Sequence, residues 1–415
     1  MTKSKQFGSI LIIAGTTVGA GMLALPIISA GEGFPYAVIV LIALWALMLY
    51  GALLLLEVNL IFPHGASFST LGRKTLGRPG QLITNLCMVL LFYCLTAAYI
   101  SGGTDFLTVD FKQYLNLSLP RWASSLIFTV VLGGLVCWHT YAVDLANRAL
   151  LTVKMIAFFS VTFLLIPHID GSKLALQPDG SRFIFMCIPI FFTAFGFHGS
   201  IPSIVKYIGH EPNRLRRIFV LGSALPLVLY ILWEMVTLGI LPQQGPQSFS
   251  TVMQQNSSVE AFITLLGAII NKKYLNYGIN FFTDIAMTTS FLGVTLGLFD
   301  FFADMVNAKQ QALKRLGVGI MTFLPPLLFA LFYPKGFIVA LGYAAVPLAL
   351  LATILPAFMA WRTRAQYHEN YPYKVAGGGI GLSIMVLFGV TIIVLQILSI
   401  FHLLPTFFVP NSTTL

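Results

Sequence analysis

Gly15-Thr16-Thr17-Val18-Gly19-Ala20-Gly21 sits in the middle of an apolar run from about residue 7 to about residue 30. A run of that length suffices to cross a bilayer, which takes roughly 20 apolar residues. Glycine weakens a helix by roughly 0.5–1 kcal/mol relative to alanine. In lipid no water repairs the freed amides, so such a stretch must face protein or a filled cavity. A second apolar run carries Phe195-Gly196-Phe197-His198-Gly199-Ser200 at its middle, with Pro202 just beyond. Small residues also let helices pack closely. What favours two broken helices over close packing is the place of the two stretches in the whole chain.

Apolar runs and their breakers give eleven spans, at about 7–30, 35–61, 81–107, 121–140, 144–167, 182–207, 215–241, 276–304, 316–333, 337–361 and 379–403. The two glycine-rich spans are the first and the sixth, offset by about 180 residues, and the spans that follow each keep the same order. Five is an odd number, so the second set of five inserts upside down relative to the first. The expectation is one all-α polytopic membrane domain: a five-plus-five inverted repeat (about 7–167 and 182–361) with helices one and six broken, plus an extra helix eleven.

Composition agrees with this class. Of 415 residues, 57% are apolar and 9% charged, against roughly 25% charged in a soluble domain. No ten-residue segments of alternating polarity appear, which argues against an outer-membrane barrel. The net charge of +10 is spread between spans rather than gathered on a face for nucleic acid. With the N-terminus inside, cytoplasmic segments hold 16 of the lysines and arginines and the other side holds 7, among them Arg121, Lys173, Arg182 and Lys335. That bias puts the N-terminus in the cytoplasm and the C-terminus outside, in a cytoplasmic-type membrane. Cys87, Cys94, Cys137 and Cys187 all fall in apolar runs without metal-type spacing, and read as small buried residues. The basic, then apolar, N-terminus has the outline of a signal peptide, but its glycine-rich length and the topology require it to be retained. The segment 242–275 reads as an external loop with a short helix near Val259–Ile270.

A broken helix presents free N–H groups on one half and free carbonyls on the other, and its dipole ends favour an anion and a cation respectively. A zwitterionic amino acid matches that pair. The N–H groups of Gly19, Ala20 and Gly21 could hold a carboxylate where no bulky side chain blocks it. The carbonyls of Thr16, Thr17, Ala194 and Phe195 could hold an ammonium group. Phe195, Phe197 and His198 would stand beside the ligand, and an aromatic wall with few polar groups suits an aromatic side chain.

The stretches Ala14–Pro26, Leu95–Gly102, Phe195–Val205, Ser290–Asp300 and Thr322–Pro326 together resemble the hydroxy and aromatic amino acid permease family, and most closely its tyrosine branch. The resemblance runs nearly end to end and is weakest in the loop 242–275 and at the C-terminus. It implies a LeuT-like fold within the amino acid/polyamine/organocation superfamily and proton-driven import of an amino acid. Tyrosine is the expected substrate, with tryptophan or general aromatic transport, then serine or threonine transport, as alternatives. It also implies that span three crosses beside the site, making Cys94, Thr96, Ala97 and Tyr99 candidates for side-chain contact. In sodium-independent members of the wider superfamily, a lysine at the place of Lys154 stands where related carriers bind sodium. Lys154 would then bridge broken helix one to Thr288, Thr289 and Ser290.

Ionisable residues inside a membrane are functional candidates by default. Lys154 lies about ten residues, or roughly 15 Å, into span five. Asp284, Glu234 and Glu57 are candidates for proton coupling, Asp284 also as a partner for Lys154 and Glu57 for a basic loop residue. His198 titrates near neutral pH and is a further candidate. Asp300 and Asp304, one turn apart, read as a wetted cap or inner gate. A channel would need a polar stripe along a span, which none shows. No nucleophile, metal or nucleotide motif supports an enzyme or ATP-driven pump. The expected partners are an amino acid, a proton and the bilayer, with no cofactor, metal, nucleic acid or obligate protein partner.

Overall fold

The computed structural model describes residues 2–62, 65–138, 140–176, 183–254, 259–270, 272–306, 312–333, 336–367 and 373–405. Arg182, Lys309 and Lys335, counted in the charge bias, lie outside them. The described residues hold helices and no strand. Ten helices are long and apolar enough to cross a membrane, or eleven when Ser4–Thr17 and Ala20–Ser29, bent by 44°, count as one span.

Span one runs as Thr2–Thr17, then a tight turn of helix over Ala20–Ala24 and a short helix Leu25–Ser29. Span six divides likewise into Ile184–Ala194 and Ile201–Ile208. The others are continuous: span two Phe34–Ile61, span four Arg121–Trp138, span five Thr140–Leu165, span seven Pro212–Ile240, span eight Lys273–Met305, span nine Ala312–Phe332 and span eleven Gly378–Ile400. Span ten carries one wide turn, Leu350–Ile354, between Gly336–Ala349 and Leu355–Gln366. The loop helix Val259–Ile270 forms at the residues expected.

Span three is longer than its hydropathy suggests. Helix begins at Phe68, where Ser67 caps the Thr70 N–H at 3.2 Å, and runs to Tyr114. Its first turns carry Arg73, Lys74 and Arg78, too polar to read as a span. Gly77 then turns the chain at φ 75, a conformation open to glycine at little cost.

The two broken spans lie side by side and antiparallel. The first half of span one packs on the second half of span six, and the second half of span one on the first half of span six. Around them span three packs on span ten and span five on span eight, span one packs on span seven and span six on span two, span three meets span eight, and span four meets span nine. This arrangement sets the two breaks side by side, enclosed by the neighbouring spans.

Candidate functional site

The first break is made by the backbone at Gly19, which is extended (φ −130, ψ −166) between two helical segments. Just before it the Thr16 and Thr17 hydroxyls bond back to the Ile12 and Ile13 carbonyls, both at 2.7 Å, a habit that loosens a helix end. At the second break Ala194 ends the helix, with Phe195, Gly196 and Phe197 irregular after it. The first break is enclosed by protein: Val18 and Ala20 are fully buried.

Three side chains from three other spans bond to the freed main-chain groups. Lys154 Nζ of span five donates to the Val18 carbonyl at 2.6 Å. Ser290 Oγ of span eight accepts from the Ala20 N–H at 2.8 Å. The Tyr230 hydroxyl of span seven lies 2.7 Å from the Thr17 carbonyl and 2.8 Å from the Ala194 carbonyl. A hydroxyl has one proton, so these two carbonyls share it, and Tyr230 ties the broken ends together. Tyr99 of span three completes the ring of groups, its hydroxyl beside Ser290.

The sequence reading found Lys154, Ser290, Tyr99 and the break residues, and the structure assembles them. It differs in the wiring. Lys154 reaches broken helix one as expected but makes no bond to Thr288, Thr289 or Ser290; the Thr289 hydroxyl bonds back to Ile285 at 2.8 Å. Ser290 reaches the break independently. Asp284 does not pair with Lys154 and lies instead near Asp110 of span three. The aromatic residues of span six diverge. Phe195 stays beside the break, its ring 5.3 Å from that of Tyr230. Phe197 turns to Phe219 of span seven, and His198 bonds to the Met48 carbonyl of span two at 3.0 Å. Thr96 is fully buried, its hydroxyl without a hydrogen-bond partner among the described residues, and Cys94 is half-buried beside it in sequence.

Of the other candidates, Glu57 does meet a basic residue: Arg364 of span ten grips both its oxygens, at 2.7 and 2.8 Å. Glu234 accepts from Ser29 Oγ at 2.8 Å near the far end of span one. Asp300 and Asp304 are exposed. Toward the loop helix a cavity of about 450 Å³ is lined by Asp105, Arg121, Thr251 and Glu260, with Asp105 and Arg121 in an ion pair. Burial raises the Glu260 carboxyl, and the Arg121 charge opposes that rise.

Sequence reasoning missed Tyr230 and Glu32. Neither lies in a glycine-rich motif, and the only signal for Tyr230 is a phenol within an apolar run, which when buried needs a partner for its hydroxyl. Tyr230→Phe removes the donor from two buried carbonyls. The expected cost is about 1–3 kcal/mol, read as a lower unfolding temperature in detergent.

Long apolar helices around two interrupted ones, with polar side chains trained on main-chain groups at the interruption, define a multi-pass membrane protein with an internal polar site. The chain belongs to the Tryptophan/tyrosine permease family, which residues 2–396 match. It is 40% identical over 390 residues, 94% of this chain and 96% of the relative, to the tyrosine-specific transport system 1 of Haemophilus influenzae. It is 36% identical to a tryptophan-specific transport protein of the same organism, over 94% of this chain and 95% of the relative. Identity to the tyrosine permease of Enterobacter agglomerans is 32%, over 98% of each chain.

Proposed function

We propose that the protein is a proton-coupled importer of an aromatic amino acid, L-tyrosine first, that works by alternating access in a bacterial cytoplasmic membrane. The observation that carries this reading is the convergence of Lys154, Ser290 and Tyr230 on the main chain of two adjacent helix breaks. Two relatives named tyrosine-specific transport systems, 40% and 39% identical, support tyrosine. The tryptophan-specific relatives support tryptophan as the second reading.

The helix contacts support the five-plus-five inverted repeat. Exchanging each of the first five spans with the span five places on maps three–ten onto eight–five and one–seven onto six–two, and leaves three–eight and four–nine unchanged. In this reading the N-terminus is cytoplasmic, the C-terminus external, and span eleven stands outside the repeat.

The substrate carboxylate sits on the N–H groups of Gly19, Ala20 and Gly21, displacing Ser290 Oγ from the Ala20 N–H. Its ammonium takes the carbonyls of Thr16, Thr17, Ala194 and Phe195, displacing the Tyr230 hydroxyl from two of them. Tyr99, Thr96, Cys94 and Phe195 border the side chain. Lys154 stands in for the sodium of related carriers and exchanges the proton that drives the cycle, with Asp284 and Glu234 as further proton carriers. Binding at the breaks precedes rocking of one bundle against the other. One net positive charge moved inward gains roughly 2.3 kcal/mol per 100 mV.

Proteoliposomes given a pH gradient without sodium accumulate labelled tyrosine in this reading, and competition by each proteinogenic amino acid sets the specificity. Accumulation that follows a sodium gradient alone rejects the proton coupling. The two glycines separate fold from binding. A Cβ on Gly19 would come within 2.7 Å of Ser290 Oγ, whereas one on Gly21 meets no protein atom within 4 Å. Gly21→Val therefore leaves the unfolding temperature unchanged yet weakens tyrosine binding at least about tenfold, or 1.4 kcal/mol. Unchanged affinity in that variant removes the carboxylate site.

A further inference from the structure

Glu32 lies in the short connection between spans one and two, at the end of span one remote from the N-terminus. It is fully buried, and both of its carboxylate oxygens lack a hydrogen-bond partner among the described residues. Glu234 of span seven is also fully buried; one oxygen accepts from Ser29 and the other lacks a partner. The two carboxylates are close enough to repel one another, and the Cys187 thiol of span six, which donates to the Ile28 carbonyl at 3.2 Å, lies near both. Three orphaned carboxylate oxygens in one buried cluster are unusual, because buried polar atoms almost always find partners.

Among the described residues no positive charge compensates the pair. Lys173, on the segment packed against the end of span seven, donates to the Ile240 carbonyl at 2.6 Å, and Lys154 of span five donates to Val18. His168 and Asp284, on neighbouring segments, bond to neither carboxylate, and the helix Phe249–Gln254 that packs on span one has no ionisable residue. Two unpaired anions buried side by side are strongly unfavourable, and a proton on one of them removes the repulsion.

We propose that Glu32 and Glu234 form a proton-loading site that binds one proton from the outer solution and releases it during the transport cycle. The inference rests on the proton-coupled reading above and adds a site to it. The step is simple in charge: two carboxylates become one carboxylate and one carboxylic acid on loading, and the same proton leaves on release. Ser29 is the donor that remains for the ionised partner. The site lies where span one's second half meets spans six and seven, so movement of the broken helices alters its surroundings directly.

Burial pushes the Glu32 carboxyl up to about 7 from the ordinary 4.5. Between those values the folded chain holds a proton that the unfolded chain has released, so the folded state loses stability as pH rises through that window and is level above it.

The test compares wild type, Glu32→Gln and Glu234→Gln in proteoliposomes, each assayed for pH-driven tyrosine accumulation and for tyrosine exchange without a gradient. The expected result is exchange within a few-fold of wild type and accumulation reduced at least about tenfold in both variants. Variants that accumulate as wild type does overturn the inference. A wild-type protein that exchanges but never accumulates on a pH gradient instead refutes the proton-coupled reading itself. Should the variants misfold, infrared spectroscopy of the wild-type protein decides. The carbonyl stretch of a protonated carboxyl, shifted in heavy water, is expected near neutral pH, and its absence overturns the inference.

Discussion

Lys154→Met is expected to abolish uphill accumulation of tyrosine, by about 100-fold or more, equivalent to about 2.7 kcal/mol of lost driving interaction. Lys154 is a buried amine whose single bond among the described residues runs to the Val18 carbonyl, the last group before the first break. Methionine fills nearly the same volume but donates nothing. The Val18 carbonyl is then left unsatisfied at a cost of about 1–3 kcal/mol, and the amine proposed to exchange a proton is gone. Lysine keeps a donor whether charged or neutral, so the bond to Val18 persists through a proton cycle while its strength changes. Lys154→Arg keeps the bond but holds its proton throughout, and is expected to bind tyrosine without accumulating it. Filter binding beside uptake in proteoliposomes separates these outcomes. Uptake of Lys154→Met within a few-fold of wild type, on a pH gradient without sodium, would leave Lys154 with a structural role only.

The largest effect on stability is expected at Arg364. Glu57 is fully buried in span two, and its carboxylate receives Arg364 Nε at 2.7 Å, Nη2 at 2.8 Å and the Val375 N–H at 2.7 Å. Arg364 also donates to the Val375 and Gly378 carbonyls, at 3.1 and 3.2 Å. One guanidinium thereby ties span two, the end of span ten and the start of span eleven. Arg364→Leu leaves a buried carboxylate with a single main-chain donor and is expected to cost about 3–5 kcal/mol. Glu57→Leu with Arg364→Leu removes both charges together and should recover part of that loss, though the Val375 and Gly378 groups stay unpaired. Thermal unfolding in detergent measures both. A double variant no more stable than the single one would show that the main-chain bonds, rather than the ion pair, hold this corner.

Hydropathy located every span because a bilayer imposes one length scale on all of them. It missed only the lead-in to span three, where Arg73, Lys74 and Arg78 make the helix polar and Gly77 bends it. The breaks were legible for a related reason: glycine clusters at mid-membrane are costly, so Gly15–Gly21 and Gly196–Gly199 mark places with a special requirement. Partners were much less legible. Thr288, Thr289 and Ser290 occupy successive positions of one helix, and only the rotation of span eight within the bundle selects Ser290 for the break. Phe195, Phe197 and His198 are neighbours in sequence, yet the irregular backbone after Ala194 sends them to different surroundings.

From its residues alone the chain determines that it is a bundle of membrane helices with two interruptions in corresponding places, because lipid accepts few backbone solutions and writes them plainly in hydropathy. Which side chains meet at those interruptions is a matter of helix rotation and crossing, which periodicity does not encode. Tertiary packing placed Tyr230 across both breaks, gave Glu57 to Arg364, and left Glu32 and Glu234 buried together without a cation among the described residues. Each of these contacts joins residues far apart in sequence, and each depends on an ångström-scale distance that only the folded bundle sets.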